Sequence, residues 1–245
     1  MTKIGADSLK SPASEWPLRD AISTAFFSHR ARSLILRLCA SLWFLGLAVP
    51  PLKVIGTLFE EIAAGLTSAD IWPVLLSQIC IVLFYAIISC IMLLRPEPAA
   101  RSEGLGPVLL ALAGTYGSWL IPLLPPGPEN PALISASAGM LLFCELLMIY
   151  ILVSLGRSFS LLPQARKLVT RGPYAIVRHP LYLLEEMALA SILLLYTWFA
   201  ALPFLVLHLG LQIRRIKLEE KILTKAFPEY ALYAQRTRRL LPGVW

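Results

Sequence analysis

Charge is scarce in this chain: 15% of its 245 residues are Asp, Glu, Lys or Arg, against 57% hydrophobic. With a mean hydropathy of +0.70, that balance excludes an ordinary soluble domain and indicates a membrane protein. Cysteine is sparse too. Cys39, Cys80, Cys90 and Cys144 lie in apolar runs with no C-x-x-C spacing, so neither a zinc site nor a disulfide frame is signalled and all four read as small packed hydrophobes. Of the three histidines, His29, His179 and His208, none is spaced to pair around a haem, and His29 reads as a solvated interfacial side chain. No G-x-G-x-x-G follows a strand, and there is no Walker A, no H-E-x-x-H and no pair of Asp-rich boxes. Acidic residues are outnumbered 15 to 22, leaving a net charge of +7. Because no nucleic-acid-reading motif accompanies the excess, anionic lipid headgroups rather than nucleic acid are the expected counterpart.

Long apolar runs are what the chain has instead. Residues 1–32 read as a polar tail with a short surface helix from Leu18 to His29, and with so polar a start no cleavable signal peptide is expected. A first span is expected from Ser33 to Ile55, kinked or cut short at Pro50-Pro51 because proline removes a helical hydrogen bond. Thr57 to Asp70, with Glu60, Glu61 and Asp70, reads as an external connection. Further spans are expected at Ile71–Leu94, Pro107–Leu124 and Ala132–Leu155, followed by two short ones, Leu181–Tyr196 and Trp198–Ile213, forming a tight hairpin. The expected fold is thus all-α, a polytopic membrane bundle of about six transmembrane helices. An even number of spans puts both termini on one side. All of the 22 lysines and arginines except Lys53 fall there, which makes that face cytoplasmic by the positive-inside rule.

The stretch Leu155 to Glu186, LGRSFSLLPQARKLVTRGPYAIVRHPLYLLEE, concentrates five cations and one His between apolar helices. Gly172-Pro173 and His179-Pro180 keep its core out of plain helix, since residues before proline leave the α region. A shaped loop of this kind suits a charged small molecule at the membrane surface; it equally suits a basic loop that only orients the protein. On the last apolar helix, His208, Gln212, Arg215 and Glu219 are spaced by four, three and four, which places them on one face. A salt-bridged helix exit accounts for the exposed members. His208 and Gln212, at membrane depth, point instead to a cavity inside the protein. Glu145, near the middle of the fourth span, needs a function or a structural partner to offset a cost of about 2.5–3.5 kcal/mol for a carboxyl there. For Glu185 and Glu186, opening the fifth span, the helix dipole is a sufficient explanation.

Three patterns occur in order: G-P-Y-x-x-V-R-H-P-x-Y from Gly172, R-x-x-x-E-E-x-x-L from Arg215, and F-x-E-Y-x-x-Y-x-x-R-T from Phe227. Together they resemble the isoprenylcysteine carboxyl methyltransferase family of integral-membrane enzymes, to which phospholipid N-methyltransferases look related. The resemblance runs from Leu155 to Trp245; the first four spans show none. It implies S-adenosylmethionine held without a Rossmann domain, in a cytoplasmic pocket lined by Gly172, Tyr174, Arg178, His179, Pro180 and Tyr182. Glu219 and Glu220 match the acidic pair that helps hold the cofactor, and Arg215 the arginine beside the acceptor. Relatives often carry Gly where this chain has Leu184, so helix packing near the cofactor should differ.

The implied organisation is a cytoplasmic tail over 1–32, four spans over 33–155, and a catalytic region over 156–245. The implied reaction moves a methyl group to a lipid-embedded or lipid-linked acceptor, a carboxylate foremost. Methyl transfer is an in-line displacement governed by positioning. A carboxylate needs only an orienting cation, for which Arg215 is the bidentate candidate. An amine must also lose a proton, to Glu145 or Glu219. Arg215 and Glu219 are therefore the candidate catalytic residues, with Glu145, His208 and Gln212 the candidate acceptor contacts and no metal ligand set. The rival readings are an NADPH-dependent membrane reductase of sterol or steroid type and a non-enzymatic membrane scaffold.

Overall fold

The computed structural model describes residues 16–66 and 71–241, with side chains from residue 31 onward. The first helix, α1 (Trp16–Leu47), is continuous. The surface helix expected at Leu18–His29 is its first part rather than a separate element, and the tail over 1–15 and the side chain of His29 lie outside the described residues. After a break at Ala48 the chain re-enters helix as α2 (Val49–Ala63), with Pro50 and Pro51 in its first turn. Prolines there lack only N–H groups that a helix start leaves unbonded anyway. They therefore start a new helix where termination was expected, and Thr57 to Ala63, expected as a connection, is helical. Glu60 and Glu61 do not stop it, being exposed and good helix formers.

The third helix, α3 (Ile71–Leu94), has the bounds its hydropathy gives and measures about 36 Å at 1.5 Å per residue. Beyond it, β1 (Ala100–Arg101) pairs antiparallel with β2 (Gln164–Ala165), opposing Ala100 to Ala165 and Arg101 to Gln164. Two residues per strand give no period to read, so this clasp is absent from an all-α expectation. Helix α4 (Leu105–Tyr116) runs into a 3-10 stretch, Gly117–Leu123. Helix α5 (Pro131–Leu155) starts on Asn130, whose Oδ1 accepts from Ala132 N at 3.0 Å, with Pro131 in the first turn. It ends at Gly156, whose φ of 51° suits a residue without Cβ. Helix α6 (Pro180–Leu193) and helix α7 (Trp198–Ala226) form the hairpin. The second arm does not stop near Ile213 but carries the charged segment on in the same helix. A short α8 (Tyr230–Arg236) follows.

Five stretches are long and apolar enough to cross a membrane: Ala31–Ala63, Ile71–Leu94, Leu105–Leu123, Pro131–Ser158 and Trp198–Ala226. At 14 residues, α6 spans about 21 Å, less than a ~30 Å hydrocarbon layer. The distribution of polarity is that of a membrane protein. Trp43, Leu120 and Leu207 are exposed, whereas Glu145, Gln212, Arg215 and Glu220 are buried. Helix α3 packs on α1 and α5, and α5 on α6, around Phe44, Ile88, Met92, Cys144, Leu152 and Leu184. Leu184 thus fills the core where relatives have Gly. Cys80 and Cys144 are buried as expected, but Cys39 and Cys90 are on the exposed face, where lipid accepts a small apolar side chain as readily as a core does.

Candidate active site

The stripe on α7 faces inward: His208, Gln212 and Arg215 are 5%, 0% and 4% exposed. Each is tied to α6 or α4. Gln212 bridges two charged groups, its Nε2 donating to Glu185 Oε2 at 2.8 Å and its Oε1 accepting from Arg215 Nη1 at 2.7 Å. The Arg215 guanidinium lies over the Tyr182 ring, 4.8 Å from its centroid, and Tyr182 Oη donates to Glu219 Oε2 at 2.9 Å. His179 stacks on the same ring, centroids 5.6 Å apart. The proline-shaped loop and the charged helix exit therefore meet at Tyr182.

His208 is held from both sides. A carbonyl can only accept, so His208 Nε2 carries the hydrogen it gives to Gly114 O at 3.0 Å. Its Nδ1 is 2.6 Å from Glu186 Oε1, which requires one shared proton between imidazole and carboxyl. Glu145 has a structural partner, Ser77 Oγ, which donates to Glu145 Oε2 at 2.9 Å.

Gly114 is where α4 meets this stripe. A Cβ there would lie 2.5 Å from Arg215 Cδ and 3.0 Å from its Nη1. Only glycine leaves room for the guanidinium in its observed place.

A second network fixes the loop. Glu220 accepts from Arg178 Nε at 2.7 Å and from Arg239 Nε at 2.8 Å, one oxygen each. Arg178 Nη1 also donates to the carbonyls of Ala234, at 2.7 Å, and Thr237. The backbone N–H groups of Arg178 and His179 donate to the carbonyls of Arg238 and Arg239 at 2.7 and 2.9 Å. Tyr233 Oη donates to Tyr174 O at 2.6 Å. Burial pushes the Tyr233 hydroxyl up to about 12, and burial, with the Glu219 carboxylate next, raises that of Tyr174 as well. Both stay protonated donors at neutral pH.

These elements enclose a polar cleft with about 830 Å³ of open space including its mouth, lined by Tyr174, Arg178, His179, Tyr182, Arg215 and Glu219 among others. Of the other residues expected around a cofactor, Gly172 and Pro180 shape the loop and helix start outside the lining. Glu220 is also outside it, because both of its oxygens serve the arginines that brace the loop. A larger, mostly apolar cavity of about 1300 Å³ lies among α1, α3, α4, α5 and α6, with Glu145 and His208 in its wall. Gln212 lines neither space. Phe159, Leu161, Leu181 and Glu185 line both, so the two spaces share a wall.

Sequence reasoning passed over Glu185, Phe159 and Gly114. Glu185 was readable as more than a first-turn carboxylate, since the helix begins at Pro180 and Glu185 falls in its second turn. Nothing in the sequence signals Gly114, whose constraint comes from a side chain about a hundred residues away. Among the described residues no group of three or more His, Cys, Asp or Glu is gathered as a metal site.

Comparison with known proteins agrees with this architecture. Over 76 residues the chain is 37% identical to the cobalt-zinc-cadmium resistance protein CzcN of Cupriavidus metallidurans, covering 31% of this chain and 35% of that one. It is 33% identical over 91 residues to the nickel-cobalt-cadmium resistance protein NccN of Alcaligenes xylosoxydans xylosoxydans, covering 32% and 38%. The match therefore spans little more than a third of each relative's length. The isoprenylcysteine carboxyl methyltransferase family matches residues 137–225, from within α5 to the last turn of α7, so its footprint takes in both lined spaces. Through that segment, this integral membrane protein belongs to the isoprenylcysteine carboxyl methyltransferase family, a family of membrane methyltransferases.

Proposed function

We propose that the chain transfers a methyl group from S-adenosylmethionine to a lipophilic acceptor, the donor occupying the polar cleft and the acceptor the apolar cavity. The observation that carries this reading is the shared wall of Phe159, Leu161, Leu181 and Glu185. A water-soluble reactant and a lipid-soluble one can meet there without either crossing the other's medium. The cleft suits the donor: Glu185 and Glu219 offset a sulfonium charge, Arg166, Lys167 and Arg178 answer a carboxylate, and Phe159, Tyr174 and Tyr182 offer faces to a purine. When bound, S-adenosylmethionine supplies an electrophilic methyl carbon.

The chain's own residues do the rest. Arg215, held by Gln212 and the Tyr182 face, orients an acceptor carboxylate, which is already a nucleophile and needs no base. Phe159, Leu161 and Leu181 keep water from the junction. Residues 156–245 form the catalytic region in this reading. The spans over 33–155 also contribute, since Phe44, Phe84 and Tyr85 line the acceptor side. Both termini and the cleft face the cytoplasm. An amine acceptor is the second reading, favoured by Glu185, a carboxylate lining both spaces that could take the proton.

Two measurements test this. Calorimetric titration of the detergent-solubilised protein with S-adenosylhomocysteine should show binding at one site. Incubating membranes with isotope-labelled S-adenosylmethionine should yield a labelled organic-soluble product that is lost in Arg215→Ala. No binding in the first measurement overturns the donor assignment, and full labelling by Arg215→Ala overturns the role of that arginine.

A further inference from the structure

A third space, about 790 Å³ including its mouth, lies where the ends of α1 and α3 meet the β1–β2 clasp. Arg32, Arg37, Arg95, Arg101 and Arg166 line it, together with one carboxylate, Glu97. That carboxylate is already engaged, accepting from Ser33 Oγ and from Arg37 Nη2 at 2.9 Å, with Arg101 Nη2 at 3.6 Å. Five guanidinium groups thus converge on charge enough for one. Burial, then the neighbouring Arg95, holds Arg166 down at about 10, and burial followed by Arg37 lowers Arg95. Like charges are being kept together without a sufficient counterion. The site is built rather than incidental: Pro96 and Pro98 fix the backbone between α3 and β1, Arg166 donates to the Pro96 carbonyl, and Ala99 N donates to Ala165 O at 2.7 Å.

We infer that this space binds the phosphate group of an anionic phospholipid, with planar guanidiniums taking its oxygens in the bidentate manner that arginine favours. The chemistry recognised is a phosphate ester. Its source is assigned to lipid by position. Arg32 stands at the start of the stretch Ala31–Ala63 and Arg95 directly after Ile71–Leu94, so the basic groups ring the level at which the apolar spans end. Leu36, also in the lining, is 59% exposed and offers an acyl chain a path down α1. Gln164 and Arg166 line both this space and the polar cleft, so a bound headgroup would brace one wall of the cleft through β2. The inference is independent of the methyl-transfer reading.

The test titrates phosphatidylglycerol into the intact protein in a neutral detergent, with no charged bilayer present, reading bound lipid by native mass spectrometry and thermal stability in parallel. Wild type should bind the lipid in preference to phosphatidylcholine and melt at a higher temperature with it. The double variant Arg32→Gln, Arg95→Gln should bind about thirtyfold more weakly, from ~1 kcal/mol per basic group facing anionic lipid. Arg101→Gln, at a more exposed site, should lose about fivefold on the same scale and serves if the double variant does not insert. The exposed pair Arg214→Gln, Lys217→Gln should leave binding within about twofold of wild type. Equal affinity of wild type for both lipids, or unchanged binding by Arg101→Gln and the double variant, overturns the site. Protection by inorganic phosphate alone, with displacement of the lipid, overturns the lipid source.

Discussion

Gly114→Ala adds one methyl group at a point that no ligand need touch. Its Cβ would sit 2.5 Å from Arg215 Cδ, so Arg215 must retreat by about 1 Å to reach ordinary van der Waals contact. Retreat is resisted, because the guanidinium is held by Gln212 at 2.7 Å and over Tyr182 at 4.8 Å. A reacting group displaced by about 1 Å costs roughly a hundredfold in rate. Stability should change much less. Alanine is favoured over glycine in a helix by about 0.5–1 kcal/mol, against about 1–3 kcal/mol for overpacking, for a net loss of about 2 kcal/mol at most. The assay compares labelled methyl transfer into lipid with the melting temperature of the same samples. Transfer should fall about a hundredfold while the protein still inserts, and adding Arg215→Ala should lower it little further, because coupled residues are not additive. Full transfer by Gly114→Ala alongside an inactive Arg215→Ala would refute the argument that Arg215 must stay where it is.

Three further outcomes are expected. Glu220→Gln leaves Arg178 and Arg239 without their shared carboxylate and should destabilise the protein by about 3 kcal/mol, read as a lower melting temperature and faster proteolysis after α7; an unchanged melting temperature would count against the bracing role. Tyr182→Phe keeps the ring under Arg215 but removes a hydrogen bond to Glu219, a loss of about 1.5–3 kcal/mol when the partner is charged. S-adenosylhomocysteine affinity should fall at least about tenfold, and an unaltered affinity would remove Glu219 from the cleft's working set. Leu141→Trp fills part of the apolar cavity away from the shared wall. It should reduce methyl transfer while leaving S-adenosylhomocysteine binding within about twofold, and the opposite pattern would exchange the roles of the two spaces.

What could be read in advance follows from how far each signal reaches along the chain. The bounds of α3 are a local matter of hydropathy, and the start of α5 is written in Asn130-Pro131. The inward face of α7 is visible because His208, Gln212 and Arg215 repeat at helical spacing. Pro50-Pro51 misled because the same two residues can end one helix or begin the next, and only the geometry at Ala48 decides between them. The β1–β2 clasp, the Gly114–Arg215 contact and the wall shared by two spaces join residues tens of positions apart. No period or motif encodes them. Glu185 and Glu186 were legible as carboxylates but not as distinct ones: one turns toward Gln212 and the cleft, the other toward His208.

The placement of apolar side chains outside and hydrogen-bonded charges within sets the thermodynamic character of this molecule. Loss of tertiary structure inside a bilayer would hand Trp43, Leu120 and Leu207 from lipid to lipid and wet few of them, so the heat-capacity increment that marks soluble proteins should be small. Its stability curve should accordingly be flat, with little tendency to weaken on cooling. Truncating a buried polar group such as Gln212 should then lower the melting temperature more than removing several of the leucines that face the hydrocarbon.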